Sequence, residues 1–433
     1  MRSFGRCRLP ALLPAVVMAL LWLPGAARAG GFHNADIGVR RMGMFASVAR
    51  PDDLSAMFHN PAGLVLMEGT QFYHSQSWFF VDLGMRMYDS HGDLHPDYEI
   101  HPDWNIGFIP FIGLASDLGT ERFRFGVAAY SPNAYGAMMP EDEPSRYHAT
   151  QVLFLGSRAS ATVAWEVTDK FAIAANANIV HMYLTATRMM NPLVLQDPDR
   201  RFDPPEVTAP FDSKLELDGQ GLAWSADFGV LFQPLKTLKL GAMFSGGADT
   251  AVKGDITLTG PDGKKTETQH RTMMVIPYTM QVGVNWEFAP DFEIGADYRY
   301  YHYQVLQEQV SKLDDPVMGM NEFADPKNYG NSGNWCVGIL YHVTPAVEVM
   351  FGYQEDYTPI PNKTYSLENP SRDQIGISGG IRWQALERHR FGLALIRNWF
   401  DLVDVQESLT TPPTNVKGHG STVNLGLDYT WKL

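Results

Sequence analysis

Apolar and polar residues alternate one for one along much of this chain, most strictly at its C-terminal end. Leu425, Leu427, Tyr429, Trp431 and Leu433 alternate with Asn424, Gly426, Asp428, Thr430 and Lys432. Successive side chains of a strand point to opposite faces, so this stretch has one apolar face and one polar or glycine face. A single such strand would also suit a half-buried sheet in a soluble protein, but the pattern recurs. Trp224, Ala226, Phe228, Val230 and Phe232 share one face. So do Tyr278, Met280, Val282, Val284, Trp286 and Phe288, and so do Trp335, Val337, Ile339, Tyr341 and Val343. The pattern predicts about fourteen strands, at 70–82, 104–116, 121–131, 148–167, 170–188, 214–234, 237–258, 268–289, 291–310, 332–345, 346–357, 372–386, 389–405 and 419–433. Short turns such as Ala289-Pro290-Asp291 and Thr344-Pro345-Ala346 join them at one end. Longer polar stretches, among them 84–103, 189–213, 312–331 and 406–419, join them at the other. Short turns on one side, long loops on the other and an even strand number predict an all-β fold. It is a transmembrane antiparallel β-barrel of about 14 strands, with the long loops outside the cell.

Residues 1–29 read as a signal peptide. Arg2, Arg6 and Arg8 precede the short apolar run Ala11–Leu23, and Ala27-Arg28-Ala29 is a small-x-small cleavage site. No later apolar run is long enough for a membrane helix, so a membrane crossing requires a closed barrel. Mean hydropathy is only −0.18 although 12% of residues are aromatic, which suits alternating faces better than membrane helices. The 34 basic and 48 acidic residues give a net charge of −14. Without residues 1–29, which hold four Arg and no acid, 30 basic residues face 48 acidic ones, net −18. That balance excludes nucleic acid as a partner. After Cys7 of the leader only Cys336 remains, so no internal disulfide and no thiolate metal site is expected.

Residues 30–69 lie between the leader and the first predicted strand. The segment is too short to bury a core of its own, and the one place for it is the barrel lumen, as a plug. Its centre reads Asp52-Asp53-Leu54-Ser55-Ala56-Met57-Phe58-His59-Asn60-Pro61-Ala62-Gly63-Leu64. Paired acids followed by Asn-Pro-Ala-Gly-Leu resemble the hatch of the FadL/TodX family, outer-membrane transporters of long-chain fatty acids and aromatic hydrocarbons. A second match is Glu355-Asp356-Tyr357-Thr358-Pro359-Ile360-Pro361, followed by Asp373 and Ser378-Gly379, similar to the late outer loop of that family. Arg40-Arg41-Met42-Gly43-Met44-Phe45 departs from it, standing where members more often carry a Gly-Leu-Gly-Arg-Ala-like run. The resemblance implies three parts: a 1–29 leader, a 30–69 hatch and a 70–433 barrel in the outer membrane of a Gram-negative bacterium. It implies a monomer surrounded by outer-membrane lipid and lipopolysaccharide, with no cofactor. Tyr429 and Trp431 keep aromatics at alternate positions for recognition by the barrel-assembly machinery.

The ligand implied is a hydrophobic small molecule, a long-chain fatty acid first and a monoaromatic hydrocarbon second. Each buried CH₂ contributes roughly 0.8 kcal/mol, so a modest apolar pocket holds a long chain. Met189, Met190, Leu193 and Leu195 place apolar sequence at the start of a long outer loop and suit a capture groove. The alternative is a loop packing on its neighbour. Phe32 is expected in the internal pocket, because the resembled hatches set their first residues against ligand. Asp52, Asp53, Asn60, Pro61, Ala62 and Gly63 are expected to fix the hatch to the wall and gate transport without touching substrate. Ser131, Pro132 and Gly136 mark a bend or bulge in the third strand, and the resemblance makes this a sideways exit. Lumen-facing Arg158, Asp227, Glu293, Asp297, Arg299 and Arg382 are expected to pair with each other and with Arg40, Arg41, Asp52 and Asp53.

An enzyme is not expected. His419-Gly420-Ser421 is distantly similar to the His-x-Ser of outer-membrane phospholipases, but Thr422-Val423 follows instead of Asn-Gly. Two residues on one face are not a triad. No HExxH, Walker, GxSxG or EF-hand pattern is present. An adhesin or a purely structural barrel would leave the hatch motif unexplained.

Overall fold

The computed structural model describes residues 31–102 and 106–433. The leader assigned to 1–29 lies outside the described residues, as do residue 30 and the first two residues of the predicted strand 104–116. Among the described residues twenty strand segments follow in order: β1 (Thr70–Tyr88), β2 (Leu94–Ile100), β3 (Ile106–Ser116), β4 (Phe123–Met138), β5 (Gln151–Thr168), β6 (Phe171–Met190), β7 (Ser213–Leu235), β8 (Leu238–Ser245), β9 (Ala248–Thr259), β10 (Lys265–Ile276), β11 (Thr279–Ala289), β12 (Phe292–Tyr301), β13 (Glu308–Val317), β14 (Met320–Pro326), β15 (Ser332–Thr344), β16 (Val347–Asp356), β17 (Gln374–Leu386), β18 (His389–Phe400), β19 (Val403–Val405) and β20 (Val416–Lys432). Six successive pairs (β2/β3, β8/β9, β10/β11, β12/β13, β14/β15 and β18/β19) are single wall strands with an interruption, because both members run along the same neighbouring wall strand. Counted this way the wall has fourteen antiparallel strands. It closes where β1 meets β20 from Gln71↔Lys432 to Met87↔Val416.

The apolar face of the alternation looks outward. Trp224 is 76% exposed and Phe351 62%, whereas Asp227, Arg299 and Asn424 are buried within. This inversion of the soluble pattern suits lipid outside and polar contacts inside. At the extracellular end the strands outrun the alternation. β1 continues to Tyr88, β4 to Met138, and residues 308–326 form the hairpin β13–β14 where a loop boundary was expected. Beyond the bilayer both faces can be polar, so the ladder persists while its period-2 signal fades.

Residues 31–69 fill the lumen. They include a helix at Val39–Met44, a single turn at Ala56–His59 and a 3₁₀ turn at Pro61–Leu66. The hatch backbone rests where the wall carries glycine. A Cβ on Gly338 would overlap the Met44 carbonyl, one on Gly241 the Val48 carbonyl, and one on Gly229 the Asn60 side chain. The glycines on the polar face of the alternation are thus seats for the hatch. Met57, Ala62 and Leu64 pack beside Phe111, Tyr130 and Ala164 of the wall.

Candidate transport path

Charges hold the periplasmic half of the hatch. Arg40 donates to Glu293 at 2.9 Å and to Asp52 at 3.1 Å. Arg382 reaches both Asp52 oxygens at 2.6 and 3.0 Å, and Glu348 at 2.6 Å. Burial alone would raise the Asp52 carboxyl, but the Arg382 and Arg40 guanidiniums hold it well below the usual carboxylate range. Arg41 instead donates to the Phe45 carbonyl at 2.7 Å and to Gln354 at 2.9 Å. The unusual Arg40-Arg41 pair therefore splits its work between the ion network and the closure of its own helix. Among the lumen charges, Arg158 pairs with Asp227 at 3.4 Å and Arg299 with Asp297 at 3.5 Å. Asp297 also accepts the Ser47 and Val48 N–H groups of the hatch.

The hatch motif is a set of local closures. Asp53 accepts the Ser55 N–H at 2.9 Å. Asn60 caps the 3₁₀ turn by accepting the Ala62 N–H at 3.2 Å, and donates to the Val48 and Val230 carbonyls at 2.9 and 3.0 Å. Pro61 opens that turn, and Gly63 lies so close to Pro51 that a Cβ would overlap it. None of Asp52, Asp53, Asn60, Pro61, Ala62 and Gly63 lines the cavities that follow.

In the extracellular half the wall has a breach. β3 and β4 pair only from Phe111↔Tyr130 to Ser116↔Phe125. Beyond Tyr130 the ladder of β4 with β5 slips between Tyr130 and Asn133, across Ser131 and Pro132. On the lumen side the N-terminal segment takes up the freed groups. Asn34 donates its N–H to the Pro132 carbonyl at 2.7 Å, and Ala134 donates to the Phe32 carbonyl at 3.0 Å. A cavity of about 440 Å³ opens here. Ser131, Gly136, Tyr135 and lipid-facing Phe108 line one side, and the amides of Asn334, Gln354, Asn398 and Asn424 line the other. His33 sits at its edge, its ring stacked on Phe58 and tilted against Tyr301. Burial, with Arg158, Arg299 and Arg41 nearby, pushes its imidazole down to about 3.

A second cavity of about 350 Å³ lies among the outer loops. Met189, Met190 and Leu195 line it, together with Val194, Leu215 and Phe323. Leu193 does not; its N–H closes the turn on the Asn191 side chain at 2.9 Å. Between the two cavities Phe32 is buried, its ring 5.3 Å from Tyr303, 5.4 Å from Phe154 and 6.0 Å from Tyr135. A void of about 20 Å³ beside it is lined by Tyr135, Lys327, Tyr329 and Glu368. Tyr135 borders all three spaces. Buried Lys327 pairs with Asp325 and lies 4.0 Å from Glu368. The late outer loop roofs this region: Thr358 donates its N–H to Asp373 at 2.6 Å, and Ile360 is buried in the cluster around Phe32. Val194 and Tyr135 lie within the stretches 189–195 and 131–136 that the sequence marks as groove and exit, whereas Lys327 and Glu368 escaped it, since nothing local distinguishes them from other loop residues.

Over residues 20–433 the sequence matches the family model described as outer membrane protein transport protein (OMPP1/FadL/TodX). The chain belongs to the FadL/TodX family. As a member it is an outer-membrane β-barrel of a family that transports hydrophobic compounds, and it is not an enzyme. The fold is similar to that of a Pseudomonas aeruginosa FadL homologue, with TM-score 0.79 and 16% identity over 93% of this chain and 100% of that one. It is similar also to the P. putida toluene transporter TodX, with TM-score 0.70 and 16% identity over 94% and 99% of the two chains. The Ralstonia pickettii toluene transporter TbuX gives 0.66 and 17% over 91% and 97%. No curated protein matches the sequence. In this FadL/TodX member the hatch motif stands at the wall and the cavities lie above it.

Proposed function

We propose that this barrel admits long-chain fatty acids by facilitated diffusion. The ligand is captured in the outer groove at Met189, Met190 and Leu195, passes Tyr135 to Phe32, and leaves sideways between β3 and β4 at Ser131, Pro132 and Gly136. Leu193 is not assigned to the groove, because it does not line that cavity although its neighbours Val194 and Leu195 do. The observation that carries this reading is the broken β3–β4 ladder, with a cavity that reaches from lumen amides to lipid-facing Phe108. A ligand that leaves there enters the bilayer without crossing the charged hatch floor. The two-sided lining favours an amphipathic ligand. Its chain meets Phe79, Leu153 and Leu155 while its polar end meets Asn398, Asn424 or Arg372. Among the described residues no carboxylate lies within ion-pair distance of Arg372, whose guanidinium reaches the Asn362 side chain at 2.6 Å.

A second reading, monoaromatic hydrocarbons, is favoured by the edge-on rings around Phe32, which would suit a flat aromatic guest. Uptake of radiolabelled oleate separates the two. Cells lacking their own transporter would express this chain, with outer-membrane assembly verified, beside a variant altered at Asn60 and Pro61. Oleate uptake that depends on an intact hatch supports the first reading. A well-assembled barrel that takes up toluene but not oleate overturns it in favour of the second.

A further inference from the structure

The outer wall carries a row of cations that the transport path does not use. Lys253 of β9 stands opposite Arg271 of β10, and Arg271 stands opposite Lys312 of β13. All three are exposed and point away from the lumen, while their sequence neighbours Val252, Thr272 and Ser311 are buried within. Neighbouring strands lie about 4.8 Å apart, so the row spans about 10 Å around the barrel. Gln220 of β7 extends it on one side. Among the described residues none of the three cations makes an ion pair, although Glu322 stands opposite Lys312 at the far end.

The layers above and below fix the depth of the row. One step towards the periplasm on the same face lie Leu222 and Met273, 66% and 49% exposed, and Trp224 follows two residues after Leu222. One step towards the long loops lie the exposed carboxylates Asp218, Asp255 and Asp314. Each step along a strand on one face is roughly 7 Å. Apolar surface, then cations, then acids is the order in which an outer-leaflet lipid presents acyl chains, phosphates and a cation-bridged sugar surface. A chain of net charge −14 has no general attraction for anions, so three cations in register, none of them ion-paired among the described residues, mark a specific complement.

We propose that Lys253, Arg271 and Lys312 bind the phosphates of an outer-leaflet glycolipid of the lipid A type, whose acyl chains run down over Met273 and Leu222. Arg271 in the centre supplies the paired N–H donors that match a phosphate, and the lysines supply flanking charges. The proposal does not depend on which compound the barrel transports.

The test uses the full chain purified in detergent and incubated with bisphosphorylated lipid A. Dephosphorylated lipid A, phosphatidylethanolamine and inorganic phosphate are offered separately, and lipid retained after exchange is counted by native mass spectrometry. The wild type is expected to retain bisphosphorylated lipid A in preference to the other two lipids. K253Q/R271Q/K312Q is expected to lose retention about tenfold or more, the scale of one or two charge-assisted hydrogen bonds. K264Q/K265Q, at the loop tip above, is expected to retain it. R271Q alone keeps the test intact should the triple variant fail to assemble, and heat-modified mobility reports assembly. Equal retention by assembled R271Q and wild type overturns the proposal, as does equal retention of dephosphorylated lipid A by the wild type. Displacement of lipid A by an equal concentration of inorganic phosphate would also overturn it, assigning the row to soluble anions.

Discussion

In the periplasmic half of the lumen, Arg40 and Arg382 meet Asp52, Glu293 and Glu348 at 2.6–3.1 Å, and the hatch lies on bare glycine. In the extracellular half, Phe32 meets Tyr303 and Phe154 edge-on, and cavities of about 350 and 440 Å³ remain. The first region is close-packed and held by interactions that are costly to break singly. The second is held by dispersion and by a few backbone bonds to a kinked strand. The contrast teaches where motion belongs: a plug can stay seated at its charged floor while its N-terminal segment moves aside.

The strongest way to break the contrast is to unseat the floor. Arg382→Ala leaves Asp52 and Glu348 short of a partner inside the lumen, and removing one member of a buried pair costs roughly 3–5 kcal/mol. We expect ion conductance in planar bilayers to rise well above wild type; wild-type conductance would mean that the ion pairs do not hold the plug. Phe32→Ala should act on the upper half alone. Loss of a packed ring costs about 3 kcal/mol of stability, so exchange at His33 and Asn34 should quicken and ligand affinity should fall while conductance stays near wild type. A loss of conductance control would erase the division between the halves. Asn60→Ala removes a cap and two bonds to carbonyls, about 1–2 kcal/mol. Amide exchange of residues 56–66 should quicken without exchange of Phe32–Asn34 following.

Acid sharpens the same division. His33 is held neutral, its value in the fold lying below that of a free imidazole, so its contribution to stability is complete above about pH 6.5 and is lost as pH falls towards about 3. Asp52 is depressed as well, so its contribution is complete above its ordinary value near 3.8 and is lost progressively only as pH falls below that value. Exchange at Phe32–Asn34 should therefore rise between pH 6 and pH 4 while residues 40–53 stay protected. Simultaneous loosening would show one cooperative unit. The smallest effect is expected from Leu193→Ala, which should leave uptake unchanged where Met190→Ala lowers it about twofold through lost packing. Equal effects would put Leu193 back in the groove.

How much of this was legible follows from what leaves a local trace. Strands such as 424–433 announce themselves because lipid and hatch impose different chemistry on alternate residues. The extensions at Ser131–Met138 and Glu308–Pro326 do not, because there the ladder has left the bilayer. Arg382 was readable as a lumen charge, and its partner Asp52 as a hatch acid, since buried charge needs a partner. Val194 and Tyr135 were readable only as members of the stretches 189–195 and 131–136, and Lys327 and Glu368 not at all: a cavity wall gathered from distant strands leaves no spacing in the sequence. Nor did Gly338 reveal itself as a seat, since its reason is a carbonyl almost three hundred residues earlier.

That distance bears on the order of assembly. The hatch is made first, yet Val39 donates its N–H to Asp428, 389 residues later, and Asp36 accepts from Asn424, 388 residues later. Contacts of such separation are the last a growing chain can make. The plug therefore has no complete socket until the final strand has zipped to the first. Its seating reports that the circle has closed.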